Sequence, residues 1–151
     1  MQHLLANNLL TSQQFGFIPG KSTSSQLLKA SFEWLTSLSR KLDTHIIYTD
    51  VSKAFDTVSH PKLINTLKGF NIDTAVIAWI NNFLCDRSQQ VIINESISSP
   101  VDIYSGVPQG SILGPCIFNI FYNDIIRDCV EPIEDTGNIC LFADDMKLFS
   151  T

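Results

Sequence analysis

An α+β layer, with helices packed on a mainly antiparallel sheet, is the fold that three features of this sequence predict. Segments with apolar residues every three or four positions alternate with short β-branched runs, in the order strand, helices, hairpin, helix, hairpin. The 151 residues contain no repeat, low-complexity tract or long Pro/Gly linker, so they read as one continuous unit. Apolar residues make up 44% of the chain and charged residues 17%, enough to build a core and too apolar for a disordered tail.

After a Gly/Pro loop between Gly16 and Gly20, Leu28, Phe32, Leu35, Leu38 and Leu42 recur at helical spacing and define one helix face. The run His45–Asp50, HIIYTD, is short, apolar and β-branched and reads as a buried strand. His60-Pro61 opens a second helix lined by Leu63, Ile64 and Leu67, with Gly69 suited to close it in the left-handed conformation. Asp73 is a natural N-cap for a third, which carries Val76, Ile77, Ile80, Phe83 and Leu84 on one face. QQVIIN and PVDIYS then form a hairpin, the second alternating Val101 and Ile103 with Asp102 and Tyr104. Beyond the loop SGVPQGS, Pro115 suits the first turn of a helix bearing Ile117, Phe118, Phe121, Tyr122 and Ile125. ICLFA and MKLF, flanking Asp144-Asp145, close the chain as two strands around a turn.

No apolar stretch approaches the ~20 residues that span a bilayer, and the start MQHLLANNLL lacks the basic region of a signal peptide. These features predict an intracellular chain, in nucleus or cytoplasm, with no membrane partner. Ten Lys plus Arg against fifteen Asp plus Glu give a net charge of -5, the wrong sign for holding nucleic acid by charge alone. Cys85, Cys116, Cys129 and Cys140 form no CxxC pair and have no histidine at zinc spacing, so they read as reduced thiols.

Three carboxylates fall at the ends of apolar strands: Asp50 after HIIYT, and Asp144 with Asp145 after ICLFA. Clustered carboxylates repel unless a cation lies between them. Mg²⁺ favours carboxylate oxygens with water and substrate phosphates, and a pair of such ions can activate a 3′-hydroxyl and stabilise a leaving pyrophosphate. The alternative is a solvated Asp-Asp hairpin tip. Ninety-four positions separate Asp50 from Asp144, and adjacent strands of one sheet would bring them together.

DVSKAFD, SGVPQGSILGP and FADD, in this order, resemble the three palm motifs of reverse transcriptases, and QFGFIPGKST resembles the fingers motif that precedes them. The phrasing is similar to non-LTR retrotransposons near the jockey group, from about Gln13 to the end. The resemblance implies a polymerase palm-type antiparallel sheet with packed helices: residues 1–44 as a fingers-derived loop and helix, 45–151 as palm with an intervening fingers-like segment. A thumb follows the FADD motif in the family, whereas this chain stops six residues beyond Asp145, so it reads as a partial domain. The implied reaction is transfer of deoxynucleotides from their triphosphates to a DNA primer on an RNA template, with two Mg²⁺ ions, or Mn²⁺ in their place.

Carried over residue by residue, Asp50, Asp144 and Asp145 become the metal-binding carboxylates, with Val51 completing the metal set. Val51, Ser52, Lys53 and Ala54 would face the triphosphate, and Phe55 would lie under the sugar and exclude a 2′-hydroxyl. Gln109 would meet template and nucleotide on a bend set by Pro108 and Gly110, and Lys21 would reach phosphate or template backbone. Ile18 stands where family members often carry arginine.

Other interpretations keep some of these residues and change the function. Phe55 has the alternative of an ordinary core aromatic, and Gln109 that of a solvated residue in a helix-entry loop. GKST at Gly20–Thr23 resembles the end of a phosphate-binding P-loop, but Phe15 stands where that motif needs glycine and TSQQF is no buried strand. An inactive relic that binds nucleic acid or protein is the rival of a different class, and nucleotidyl cyclases also place carboxylates on similar sheets.

Overall fold

The computed structural model describes residues 1–130 and 138–150, the side chains of 128–130 excepted. Along the chain run α1 (Gln2–Ala6), α2 (Thr23–Ser39), β1 (His45–Thr49), α3 (His60–Gly69) and α4 (Thr74–Leu84). Four short strands follow, β2 (Arg87–Gln89), β3 (Ile92–Ile93), β4 (Ser96–Ile97) and β5 (Val101–Ile103). Helix α5 (Gly114–Val130) leads to β6 (Asn138–Phe142) and β7 (Asp145–Ser150).

The main sheet is antiparallel in the order β1-β7-β6. Residues 13–15 extend it beside β6, where the Phe15 amide donates to the Leu141 carbonyl at 2.8 Å and Leu141 returns a bond to Gln13 at 2.9 Å. Leu63 and Leu67 of α3, Ile77, Ile80 and Leu84 of α4, Ile117 and Phe118 of α5, and Ile139 and Leu141 of β6 form one core cluster. Burying each such side chain stabilises the fold by about 1.5–3 kcal/mol relative to exposure. Helix α2 packs on β6, its Trp34 ring meeting Phe149 edge-on with centroids 6.0 Å apart.

The caps follow local chemistry. Asp73 accepts from the Ala75 amide at 2.7 Å and starts α4 as its sequence predicts. Pro61 sits in the first turn of α3, where no amide hydrogen is needed. Ser22 and Ser25 exchange bonds to cap α2 reciprocally.

Four expectations change. Gly69 is the last residue of α3, and the left-handed position falls to Asn71 (φ 52°). The Ile72 amide then reaches the Leu67 carbonyl at 3.4 Å and Ile72 joins the core, completing a Schellman closure. The second change is β1, which is exposed rather than buried, because it is an edge strand and α2 covers β6 instead. Leu28, Phe32, Leu35 and Leu38 of α2 point outward, while Gln26, Ala30 and Ser37 face inward. Leu42 lies beyond the helix. Last, the single hairpin is two nested ones: β2 pairs with β5, and β3 with β4, because a turn at Asn94 (φ 53°) reverses the chain inside QQVIIN.

Cys85, Cys116 and Cys140 are free thiols, and burial pushes the latter two above the usual thiol range. Cys129's side chain lies outside the described residues. Among the described residues no helix is long and apolar enough to cross a membrane.

Candidate active site

The pairing register places the carboxylates. Thr49 lies opposite Met146, so Asp50, one residue on, stands beside Asp145 at the start of β7. Phe142 pairs with Asp145, which leaves Ala143 and Asp144 as the turn between β6 and β7. Asp50 and Asp145 are exposed and Asp144 is half-buried.

Asp50 and Asp144 line one cleft of about 630 Å³. The same cleft is walled by Val51, Ser52, Lys53, Ala54 and Phe55 on one side and by Pro108, Gln109 and Gly110 on another. Sequence reasoning proposed all ten of these residues; it missed Phe17, Ser111 and Pro115, which complete the lining. Asp145 faces a neighbouring cavity that it shares with Asp50.

The two walls are stitched together by backbone. The Gly106 amide donates to the Val58 carbonyl at 2.8 Å, and Val107 donates to Phe55 at 2.9 Å. Gly106 (φ 84°) is required here, since an added Cβ would lie 2.8 Å from the Asp56 backbone. Ser105 Oγ donates to the Asp56 carbonyl at 2.8 Å, and Gln109 Nε2 donates to Asp56 Oδ1 at 3.1 Å. Asp56, inside DVSKAFD but not singled out from sequence, thus fixes which way the Gln109 amide points. Its Oε1 acceptor remains for the cleft.

Phe55 is held by an aromatic column. Its ring stacks on Phe118 at 4.2 Å between centroids and 10° between planes, and Phe17 meets it edge-on at 6.2 Å. Phe118 stacks on Tyr122 at 5.3 Å, whose hydroxyl donates to the Asp144 carbonyl at 3.2 Å. Phe55 and the carboxylate turn therefore share one support on α5.

Lys21 is not among the cleft residues. Its ammonium donates to the carbonyls of Ser12 at 2.6 Å and Gln14 at 2.8 Å and sits 4.8 Å from the Phe15 ring centre. Desolvation, with the nearby Lys29 charge, lowers its pKa. In this arrangement it braces the loop that carries Gln14.

Among the described residues no three His, Cys, Asp or Glu side chains converge as a cluster ready for a metal ion. The donor set nonetheless fits Mg²⁺: two carboxylates open on a shared cleft, with hard oxygen ligands and room for water and phosphate.

Comparison with known proteins places the chain in a family and a fold. A family model described as reverse transcriptase (RNA-dependent DNA polymerase) matches residues 1–151. The probable RNA-directed DNA polymerase from transposon BS of Drosophila melanogaster is 30% identical over 97% of this chain. The RNA-directed DNA polymerase from mobile element jockey of Drosophila funebris is 32% identical over 99%. The chain spans only 17% and 18% of the lengths of these relatives. Telomerase from Candida albicans, solved in complex with the TWJ fragment of telomeric RNA, superimposes with a TM-score of 0.71 at 15% identity, over 91% of this chain and 27% of that one. Apo telomerase from Candida tropicalis, truncated from its C-terminal domain, gives 0.69 at 14% identity, over 91% and 30%. At such identity these two show the fold, a palm-type α+β arrangement, while the family model and the retrotransposon relatives carry the lineage. The chain belongs to the reverse transcriptase family, and is similar within it to proteins of mobile elements.

Proposed function

We propose that this chain forms the nucleotide-addition centre of an RNA-directed DNA polymerase, with residues 1–44 contributing fingers and 45–151 the palm with an intervening fingers-like segment. The observation that carries the reading is the cleft itself: Asp50 and Asp144, far apart in sequence, open on one space together with the 51–55 loop and Gln109.

In this reading Asp50 and Asp144, with Val51, would hold two Mg²⁺ ions, for which Mn²⁺ could substitute, and Asp145 would support them from the neighbouring strand. Bound there, the ions would lower the pKa of the primer 3′-hydroxyl and neutralise charge on the departing pyrophosphate. The primer oxygen forms a bond to the α-phosphorus of the deoxynucleoside triphosphate, and the bond to pyrophosphate breaks. The protein contributes positioning and fixed charge more than covalent chemistry. The backbone from Val51 to Ala54 lies along the triphosphate. Phe55, fixed face-on against Phe118, floors the sugar and leaves no room for a 2′-hydroxyl. Gln109, oriented by Asp56, presents its carbonyl to the nucleotide, and Pro108 and Gly110 shape the bend that meets the template.

The test is binding of a fluorescent deoxynucleoside triphosphate in the presence of Mn²⁺, read by polarisation. The unaltered chain binds, and Asp50→Asn and Asp144→Asn each weaken binding by about tenfold or more, equivalent to at least ~1.4 kcal/mol. Equal binding by both variants contradicts the assignment.

A further inference from the structure

We infer that Gln14 is a positioning residue for Asp144, acting through the backbone of the β6–β7 turn; this rests on the reading of Asp144 as a metal-binding carboxylate. Gln14 lies 129 positions from the turn and is only 4% exposed. Both polar atoms of its amide bond to the turn and its own loop. Nε2 donates to the Ala143 carbonyl at 3.1 Å, and Oε1 accepts from the Ala143 amide at 3.0 Å and from the Gly16 amide at 2.8 Å.

Both backbone groups of the residue just before Asp144 are therefore held by one side chain. Ala143 needs holding, because its φ of 55° is a left-handed conformation that a residue with a Cβ rarely adopts. Gly16 presses on the same spot: a Cβ there would overlap the Ala143 nitrogen. Asn119, also buried, donates to the Gly16 carbonyl at 2.9 Å and fixes the loop that carries Gln14. With Tyr122 bonded to the Asp144 carbonyl, the turn is gripped on both sides of its first peptide. Loss of the Gln14 contacts would leave a buried amide and carbonyl unpaired and free the turn to relax toward ordinary φ.

Only a side chain with both a donor and an acceptor at this reach serves both Ala143 groups. Gln14→Leu keeps the approximate volume and removes all three bonds. Gln14→Glu keeps the acceptor, and supplies the donor only while protonated; burial raises the pKa of that carboxyl, so its neutral form is favoured as pH falls.

The experiment is titration of the 151-residue chain with Mn²⁺ alone, free ion read by electron paramagnetic resonance, alongside thermal unfolding of each variant. Gln14→Leu is expected to unfold cooperatively and to bind Mn²⁺ about 10- to 100-fold more weakly, the range for loss of a group that orients a ligand. Gln14→Glu is expected to recover affinity as pH is lowered from 8 to 6, while the unaltered chain gains none. Affinity equal to the unaltered chain in folded Gln14→Leu, or no pH-dependent recovery in Gln14→Glu, overturns the inference; should Gln14→Leu not fold, Gln14→Glu decides. If the unaltered chain binds Mn²⁺ no better than Asp144→Asn, the metal reading itself fails and this inference with it. If binding depends on Asp144 and not on Gln14, the inference alone fails.

Discussion

Phe55 shows how one side chain answers to two demands. It is half-buried, stacked on Phe118, and at the same time part of the cleft wall. Phe55→Ala should therefore cost stability, on the order of 3 kcal/mol for a truncated aromatic in the core. In the function proposed it should also lower the preference for deoxy- over ribonucleoside triphosphates by about tenfold or more, since a ring placed to exclude a 2′-hydroxyl would be gone. Competition binding measures the second effect independently of the first; unchanged preference in a folded variant would leave Phe55 a core residue only. Ten cleft residues were legible from the motifs that hold them, because each motif is contiguous and its spacing local. Asp56 and Gln14 were not, since their importance lies in bonds to Gln109 and Ala143, 53 and 129 positions away. The bonds of Lys21 were not legible for a related reason: nothing local announces that the carbonyls of Ser12 and Gln14 will accept from its ammonium.

At the scale of elements, the cleft depends on loops that only particular backbones permit. Gly106 and Gly110 have similar φ values, 84° and 79°, yet only the first has a neighbour where a Cβ would go. Gly110→Ala should cost about 1–2 kcal/mol of left-handed strain. Gly106→Ala adds overlap with the Asp56 backbone, which typically costs a further ~1–3 kcal/mol. Urea unfolding distinguishes them, and equal destabilisation would show that the stitch between the two loops is not a tight one. Helix positions were readable from periodicity and caps, as at Asp73 and Pro61. Which face is buried was not readable for α2, because the inward side carries the small or polar Ala30, Ser37 and Gln26, the last accepting a 2.9 Å bond from Lys147. Strand burial in β1 was misjudged because composition reports apolarity and not whether a second layer arrives.

The whole molecule combines an ordered core with an outward apolar face. Leu28, Phe32, Leu35 and Leu38 on α2 are each more than 60% exposed, and Ile47 and Tyr48 of β1 are exposed as well. Apolar surface of this kind favours association. Leu28→Glu with Phe32→Glu should reduce light scattering of concentrated solutions, with a change in unfolding free energy within about 0.5 kcal/mol per substitution. Scattering that does not fall would place association elsewhere. The net charge of -5 adds a second feature at this scale, since a chain of that sign attracts cations and repels phosphates at long range.

In the function proposed, the palm sheet brings Asp50 and Asp144 together as a metal site, and thermal unfolding with and without Mn²⁺ or Mg²⁺ reads that site out. An ion that binds only the folded state stabilises it, by about 2.7 kcal/mol at a hundredfold excess over Kd. The unaltered chain should therefore unfold at a higher temperature with either ion, and Asp50→Asn and Asp144→Asn should fold without that response. Cooperative unfolding of the unaltered chain with no response to metal, or an equal response in both variants, would mean that Asp50 and Asp144 do not form a metal site.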